Sequence, residues 1–356
     1  MSNAQATTDA IKQISLLFQD MSQKSEIILK NIQPAAMPIE QIKPLYHNNE
    51  MLSQLPTVFR YAQHGNRFYF TLIDDTVEFY PSVTTIIGRT TPMSFGLKKI
   101  LGDKGLDGYF QFMRERAAYG TFLHIQISDY LKYQEYDFDQ IRGKLAMYLE
   151  DKQLDVNLEK WSEDCKKDMA SLIQFCIDHE VKPIAIEVVG TYSDKNVKMA
   201  GAIDMICEMT VKEKGFHGEV YKSGEKKGEP KETIAEKKIT AIVDFKSGKS
   251  GFFEEHEIQL HMYKLIAEQS MNIKIDKVFN VAPKDWLTMP TYTVKDQTDS
   301  PKAAKIPHMI AQFLIDYEGP KDILQISGKQ NGEDLSKTCR HIPAAEYVKS
   351  FSKINI

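Results

Sequence analysis

Apolar residues recur at helical spacing near the start of the chain, at Ile11, Ile14, Phe18 and Met21, behind Asp9, a residue suited to cap a helix. This spacing predicts an amphipathic helix over roughly the first 30 residues. Pro34, Pro38 and Pro44 then break the pattern, which predicts a connecting stretch with a domain boundary near residue 50. From Arg67 to Ile87 the run RFYFTLIDDTVEFYPSVTTII sets aromatic and β-branched residues around an Asp-Asp turn, the pattern of a hairpin. Proline-free segments with helical periodicity follow between Tyr109 and Leu131 and between Leu154 and His179.

Three runs rich in Ile and Val come next, KPIAIEVVGTYS, KMAGAIDMICEMTV and KKITAIVDFKSG, and predict antiparallel strands covered by those helices. Between the second and third, residues 212–238 are dominated by Lys, Glu and Gly, which predicts an exposed loop or long hairpin tip inserted between core strands. After Gly251, FFEEHEIQLHMYKLIAEQ is helical in period, KIDKVFNVAPKD reads as a strand, and a last helix is expected from Pro301 to Tyr317. The expected architecture is α/β of the α+β kind, a mixed central sheet flanked by helices. It divides into an N-terminal helical arm and linker (1–50), a main domain (51–320) and a C-terminal tail (321–356) without a pattern of its own.

Composition narrows this little. The 45 basic and 49 acidic residues nearly balance, so any surface for a polyanion must be a local patch. No run of ~18 apolar residues occurs, and the first residues lack the basic, apolar, small-residue order of a signal peptide, so a soluble cytoplasmic protein without a membrane partner is expected. Cys165, Cys176, Cys207 and Cys339 form no CxxC pair, which argues against zinc ribbons and clustered iron–sulfur ligands and for reduced, buried thiols.

The chemistry-bearing residues are few. Asp244 and Lys246 stand two apart in AIVDFKSGK, so on a strand they share one face, at its end beside Ser247 and Gly248. Asp204 lies in AGAIDMICEM, where Ala200, Gly201 and Ala202 leave room for close approach. Hard divalent cations take oxygen ligands, and Asp204, Asp244 and the carbonyl of Phe245 could supply them. Lys246 would then stabilise negative charge at a phosphate. Taken alone, the Asp-x-Lys pair reads far more readily as a surface ion pair on a strand.

Its company makes it specific. Gly120 and His124 in GTFLH, Gly201 and Asp204 in GAID, Asp244 and Lys246 in DFK, and Gln259 and Tyr263 in QLHMY occur in this order. Together, over roughly residues 80–290, they resemble the RecB-type branch of the PD-(D/E)XK nucleases. The resemblance implies a restriction-endonuclease-like core and metal-dependent DNA cleavage with Mg²⁺ or Mn²⁺. It makes His124, Asp204 and Asp244 metal ligands and Lys246 the catalytic lysine. Gln259 and Tyr263 become the QxxxY pair supporting the site, on one helical face by their i, i+4 spacing. Glu187 matches an acidic position of some relatives, where it would hold a water or a second cation.

The chain departs from the family in two respects. Only Cys339 follows the motifs, so no iron–sulfur cluster is expected, and Tyr119 stands where a basic residue often precedes the glycine of GxxxH. Lys195, Lys198, Lys246 and Lys249 flank the proposed site, and Lys98, Lys99 and Lys104 precede the histidine, which makes them candidates for phosphate contacts. The chain has no GxxxxGK[ST], so unwinding would fall to a helicase or recombination partner. The expected function is an exonuclease or end-processing enzyme of repair, recombination or phage DNA metabolism. A structure-specific or restriction-type endonuclease, and a nuclease-like module that binds DNA without cutting, remain open.

Overall fold

The structure is a computed structural model and describes residues 39–316, apart from 49, 53–54, 56, 64–65, 74–75, 195–196, 221, 225–226, 228–229 and 249–250, together with 329–330, 333–334 and 354–355. The helix expected over the first 30 residues, Cys339 and most of the tail lie outside the described residues.

The main elements are, in chain order, β1 (Ile39–Ile42), β2 (Tyr46–His47), β3 (Val58–Gln63), β4 (Asn66–Ile73), β5 (Thr76–Pro81), α1 (Val83–Thr90), α2 (Phe95–Tyr133), α3 (Ile141–Lys152), α4 (Leu158–Asp178), β6 (Lys182–Asp194), β7 (Val197–Val220), β8 (Pro230–Phe245), α5 (Glu254–Ser270), β9 (Lys277–Lys284), β10 (Thr291–Asp296) and α6 (Ile306–Asp316). The chain is α+β, with a mixed six-stranded sheet in the order β10-β9-β8-β7-β6-β2. All its pairs are antiparallel except β8 with β9, whose parallel pairing requires the crossover that α5 provides. A smaller antiparallel sheet holds β1, β3, β4 and β5. Strand pairing thus begins at Ile39, ahead of the boundary expected near residue 50.

Apolar side chains leave the six-stranded sheet from both faces, so helices cover both. On one face Phe122 and Leu123 of α2, Ile141 and Leu145 of α3 and Phe175 of α4 pack on Ile186, Met205, Val243 and Phe245. On the other, Ile86 of α1, Ile266 of α5 and Phe313 of α6 pack on Val188, Ile203, Ile206 and Ile242. Each such side chain, fully buried, contributes about 1.5–3 kcal/mol. Cys165, Cys176 and Cys207 are free and buried in the first of these cores, as expected of reduced structural thiols.

The structure corrects one expectation, extends a second and decides a third. The hairpin ends at Pro81, and SVTTII begins a helix: Ser82 Oγ accepts from the Thr85 amide, and Val83, Ile86 and Ile87 fall on one buried face. The β-branched run reads as strand, but the cap and the i, i+3, i+4 spacing prevail. The helix expected from Tyr109 starts at Phe95, capped by Ser94, and is broken at Gly105, whose φ of 70° lies in the left-handed region. Of the two forms expected for the charged insertion, the structure takes the long hairpin: the β7/β8 register runs out to Val220 opposite Pro230, so Lys212 faces Glu236 across an extended ribbon. No helix among the described residues is long and apolar enough to cross a membrane.

Candidate active site

Side chains alternate across a regular strand, so residues two apart share a face. On β6, however, Ile186 lies in the core beneath α2–α4 whereas Val188 lies in the opposite core. On β7 the same change separates Met205 from Ile203. Ile186 pairs with Met205 and Val188 with Ile203, so the two slips coincide at the rung between them, where the ladder is interrupted and Glu187 and Asp204 bring ligand atoms within 4.8 Å. Glu187 carries the distortion in its backbone, with φ at 50°, a left-handed conformation that costs a non-glycine residue about 1–3 kcal/mol. Packing of both neighbours against opposite cores holds the rung in this form.

His124 reaches the same rung from α2. Its Nδ1 lies 3.5 Å from Asp204 Oδ2, and one ligand atom from each of His124, Glu187 and Asp204 falls within 4.8 Å of the others. All three are half-buried. One turn before His124, Gly120 brings the helix against the end of β8: a Cβ there would stand 3.2 Å from Ser247 Oγ. Two carboxylates and an imidazole, with no thiolate, could hold a divalent cation: the carboxylates are the oxygen ligands that hard cations take, and the imidazole is a nitrogen ligand of borderline hardness.

Phe245 joins this trio to the Asp-x-Lys pair through its backbone N–H, which donates to Asp204 Oδ2 at 2.9 Å. Asp244, on the next strand, is 1% exposed. Lys246 Nζ donates to its Oδ1 at 2.9 Å and lies 2.7 Å from Oδ2. Asn280 Nδ2, from β9, donates to Oδ2 at 2.7 Å, and Gln297 Nε2 donates in turn to Asn280 Oδ1 at 3.2 Å. Burial raises the Asp244 carboxyl above its ordinary range, the Lys246 charge opposes that rise, and nearby Asp204 adds to it. The expected metal ligands therefore divide: His124, Asp204 and Glu187 gather in one cluster, whereas both Asp244 oxygens are engaged by Lys246 and Asn280.

Helix α5 supplies the remaining contacts. Lys246 Nζ also donates to Gln259 Oε1 at 3.2 Å, and Gln259 Nε2 donates to the Tyr263 hydroxyl at 2.7 Å. The QxxxY pair is thus a prop for the lysine. Tyr263 fits because residue 201 is glycine, since a Cβ there would stand 2.5 Å from its Cε1. Burial, reinforced by Asp204 and Asp244, raises the Tyr263 hydroxyl well above its usual range, so it stays protonated and remains a donor.

Three further groups at the site escaped the sequence reading. Asn280 and Gln297 are 0% and 2% exposed, and the one available signal was an amide inside the apolar run VFNVAPK. The third, His256, precedes Gln259 by one turn, and its Nδ1 accepts the Phe253 N–H at 3.3 Å. Burial, aided by the Lys246 charge, pushes its imidazole down to about 4, so it is neutral near pH 7. Of the expected phosphate-contact lysines, Lys195 and Lys249 lie outside the described residues, while Lys98, Lys99 and Lys104 are exposed on the first part of α2. Comparison with protein-family models and with curated proteins finds no match to this chain.

Proposed function

We propose that the protein is a metal-dependent DNA nuclease of the PD-(D/E)XK type, built on a restriction-endonuclease-like core and related to the RecB-type branch. One observation carries the reading: His124, Glu187 and Asp204 meet at a distorted rung that the Phe245 amide ties to Asp244 and Lys246. A bare surface ion pair needs neither the strained Glu187 nor a histidine brought in from another element.

In this reading His124, Glu187 and Asp204 hold Mg²⁺ or Mn²⁺, with Asp244 beside them. A cation held there would supply charge neutralisation at the scissile phosphate and a more acidic water. Lys246, fixed between Asp244 and Gln259, stabilises negative charge developing on the phosphate and orients the attacking water. Asn280 and Gln297 hold Asp244 in place, and Tyr263 holds Gln259. The buried surroundings strengthen each of these interactions relative to water. The substrate is DNA, cut from ends in repair, recombination or phage DNA metabolism, with strand separation left to a helicase or recombination partner.

The test is incubation with end-labelled linear and covalently closed circular DNA in Mg²⁺, in Mn²⁺ and in excess EDTA. Metal-dependent loss of the linear substrate alone is expected. Cleavage of circles would shift the reading to an endonuclease, and undiminished cleavage in EDTA would sink the metal site.

A further inference from the structure

We infer that residues 106–117 of α2 form a self-association surface, on which a second copy of this chain docks with its own α2 running antiparallel.

No residue from Phe95 to Ala117 is buried, although the helix continues into the core from Ala118 onward. The free portion is nevertheless not polar all round. Leu106 is 61% exposed, Phe110 55% and Met113 36%, and Ala117 is exposed as well. Their spacing, i, i+4, i+7, i+11, is the seam along which two helices interdigitate. A solvated helix arm would carry charge at these positions.

The residues beside the seam select the occupant. Asp107 and Arg114 stand seven apart, two helical turns, so they lie on one flank; Tyr109 and Arg116 likewise share the other. In an antiparallel pair each flank meets the same flank of its copy, reversed. The layers then pair Leu106 with Ala117 of the second copy and Phe110 with its Met113. With that register Asp107 meets Arg114 of the second copy, Arg114 meets its Asp107, and Tyr109 meets its Arg116. The two core layers centre between residues 111 and 112, and the flank pairs centre one residue to either side, Asp107 with Arg114 before it and Tyr109 with Arg116 after it; a two-fold axis between 111 and 112 repeats every contact in reverse, as an isologous interface requires. A parallel arrangement instead sets Arg114 against Tyr109 and Asp107 against Gly102, with no ion pair. Asp107 and Arg114 are both exposed.

The test is sedimentation of the full chain from about 1 to about 200 µM, alone and with a single-stranded oligonucleotide. A concentration-dependent monomer–dimer equilibrium is expected. Asp107→Arg and Arg114→Asp, each placing like charges together twice per dimer, should weaken it at least about tenfold. The double exchange Asp107→Arg/Arg114→Asp should restore it, an outcome that no loss of folding imitates. Phe110→Ser should leave a monomer with an unchanged circular dichroism spectrum. A wild-type monomer at every concentration, or a double exchange no better than the single ones, overturns the inference. So does Phe110→Ser abolishing oligonucleotide binding without changing the sedimentation, which would assign the seam to nucleic acid.

Discussion

Replacing Gly201 by alanine isolates the contact between β7 and α5 on which the lysine's position depends. The added Cβ would stand 2.5 Å from Tyr263 Cε1, 3.1 Å from Cδ1 and 3.3 Å from Val83 Cγ2. Carbon atoms pack at about 3.5–4.0 Å, so the ring must retreat by about 1–1.5 Å. Tyr263 is 4% exposed, within a core that offers it no open side. Overpacking of this kind costs about 1–3 kcal/mol. The displacement also stretches the 2.7 Å bond from Gln259 Nε2 beyond the ~3.5 Å at which a hydrogen bond is lost. Gln259 then no longer fixes Lys246, and a misplacement of about 1 Å at a reacting group costs up to about 10²-fold in rate. Urea unfolding and single-turnover cleavage should therefore both register the change. Leucine at position 263 lacks Cε1, so Gly201→Ala/Tyr263→Leu should recover stability relative to the sum of the single effects, without recovering rate. If Gly201→Ala unfolds within about 0.5 kcal/mol of wild type and cleaves at the wild-type rate, the proposed linkage from Gly201 to Lys246 is wrong.

Metal ligands and the lysine should fail differently. Asp204→Asn removes charge from the trio and should lower metal affinity by calorimetry together with cleavage; Lys246→Ala should keep metal affinity and lose about 10²–10³ in single-turnover rate. Equal metal affinities in the two variants would break that assignment. Asp244 carries a pH signature, because burial raises its folded carboxyl above the unfolded value of 3.8. Its stabilising contribution is present below the unfolded value and is lost as pH rises through the folded one. Relative to Asp244→Asn, wild type should accordingly lose stability as pH rises above the unfolded value of 3.8, measured by urea unfolding at a series of pH values; a difference independent of pH would contradict the buried carboxyl.

Local geometry accounts for what was legible in the chain. The shared face of Asp244 and Lys246 follows from the two-residue repeat of a strand, and that of Gln259 and Tyr263 from a single helical turn. Both survive whatever the rest of the fold does. The strand, strand, strand, helix, strand order was equally readable, because each run carries its own period. The ribbon was harder. Lysine and glutamate over 212–238 mark solvent exposure but do not distinguish an open loop from paired strands, whose backbone bonds need no apolar side chain. At Val83–Ile87 two local signals conflict, β-branching against a serine cap, and burial against α5 and α6 decides between them.

The site's less legible parts depend on pairing across elements. Nothing in IAIEVVG announces that Glu187 adopts a positive φ; the distortion exists because Ile186 and Val188 are claimed by opposite cores, a fact of the whole sheet. Asn280 reaches Asp244 through the parallel register that sets the two residues side by side, and that register follows from the crossover through α5. Sequence spacing therefore identifies groups that share one element, such as the lysine and its carboxylate. The groups that hold them arrive from other elements, and a buried amide in an apolar run is the trace one of them leaves: Asn280 is satisfied by Asp244 and Gln297, at the ends of the strands on either side of it.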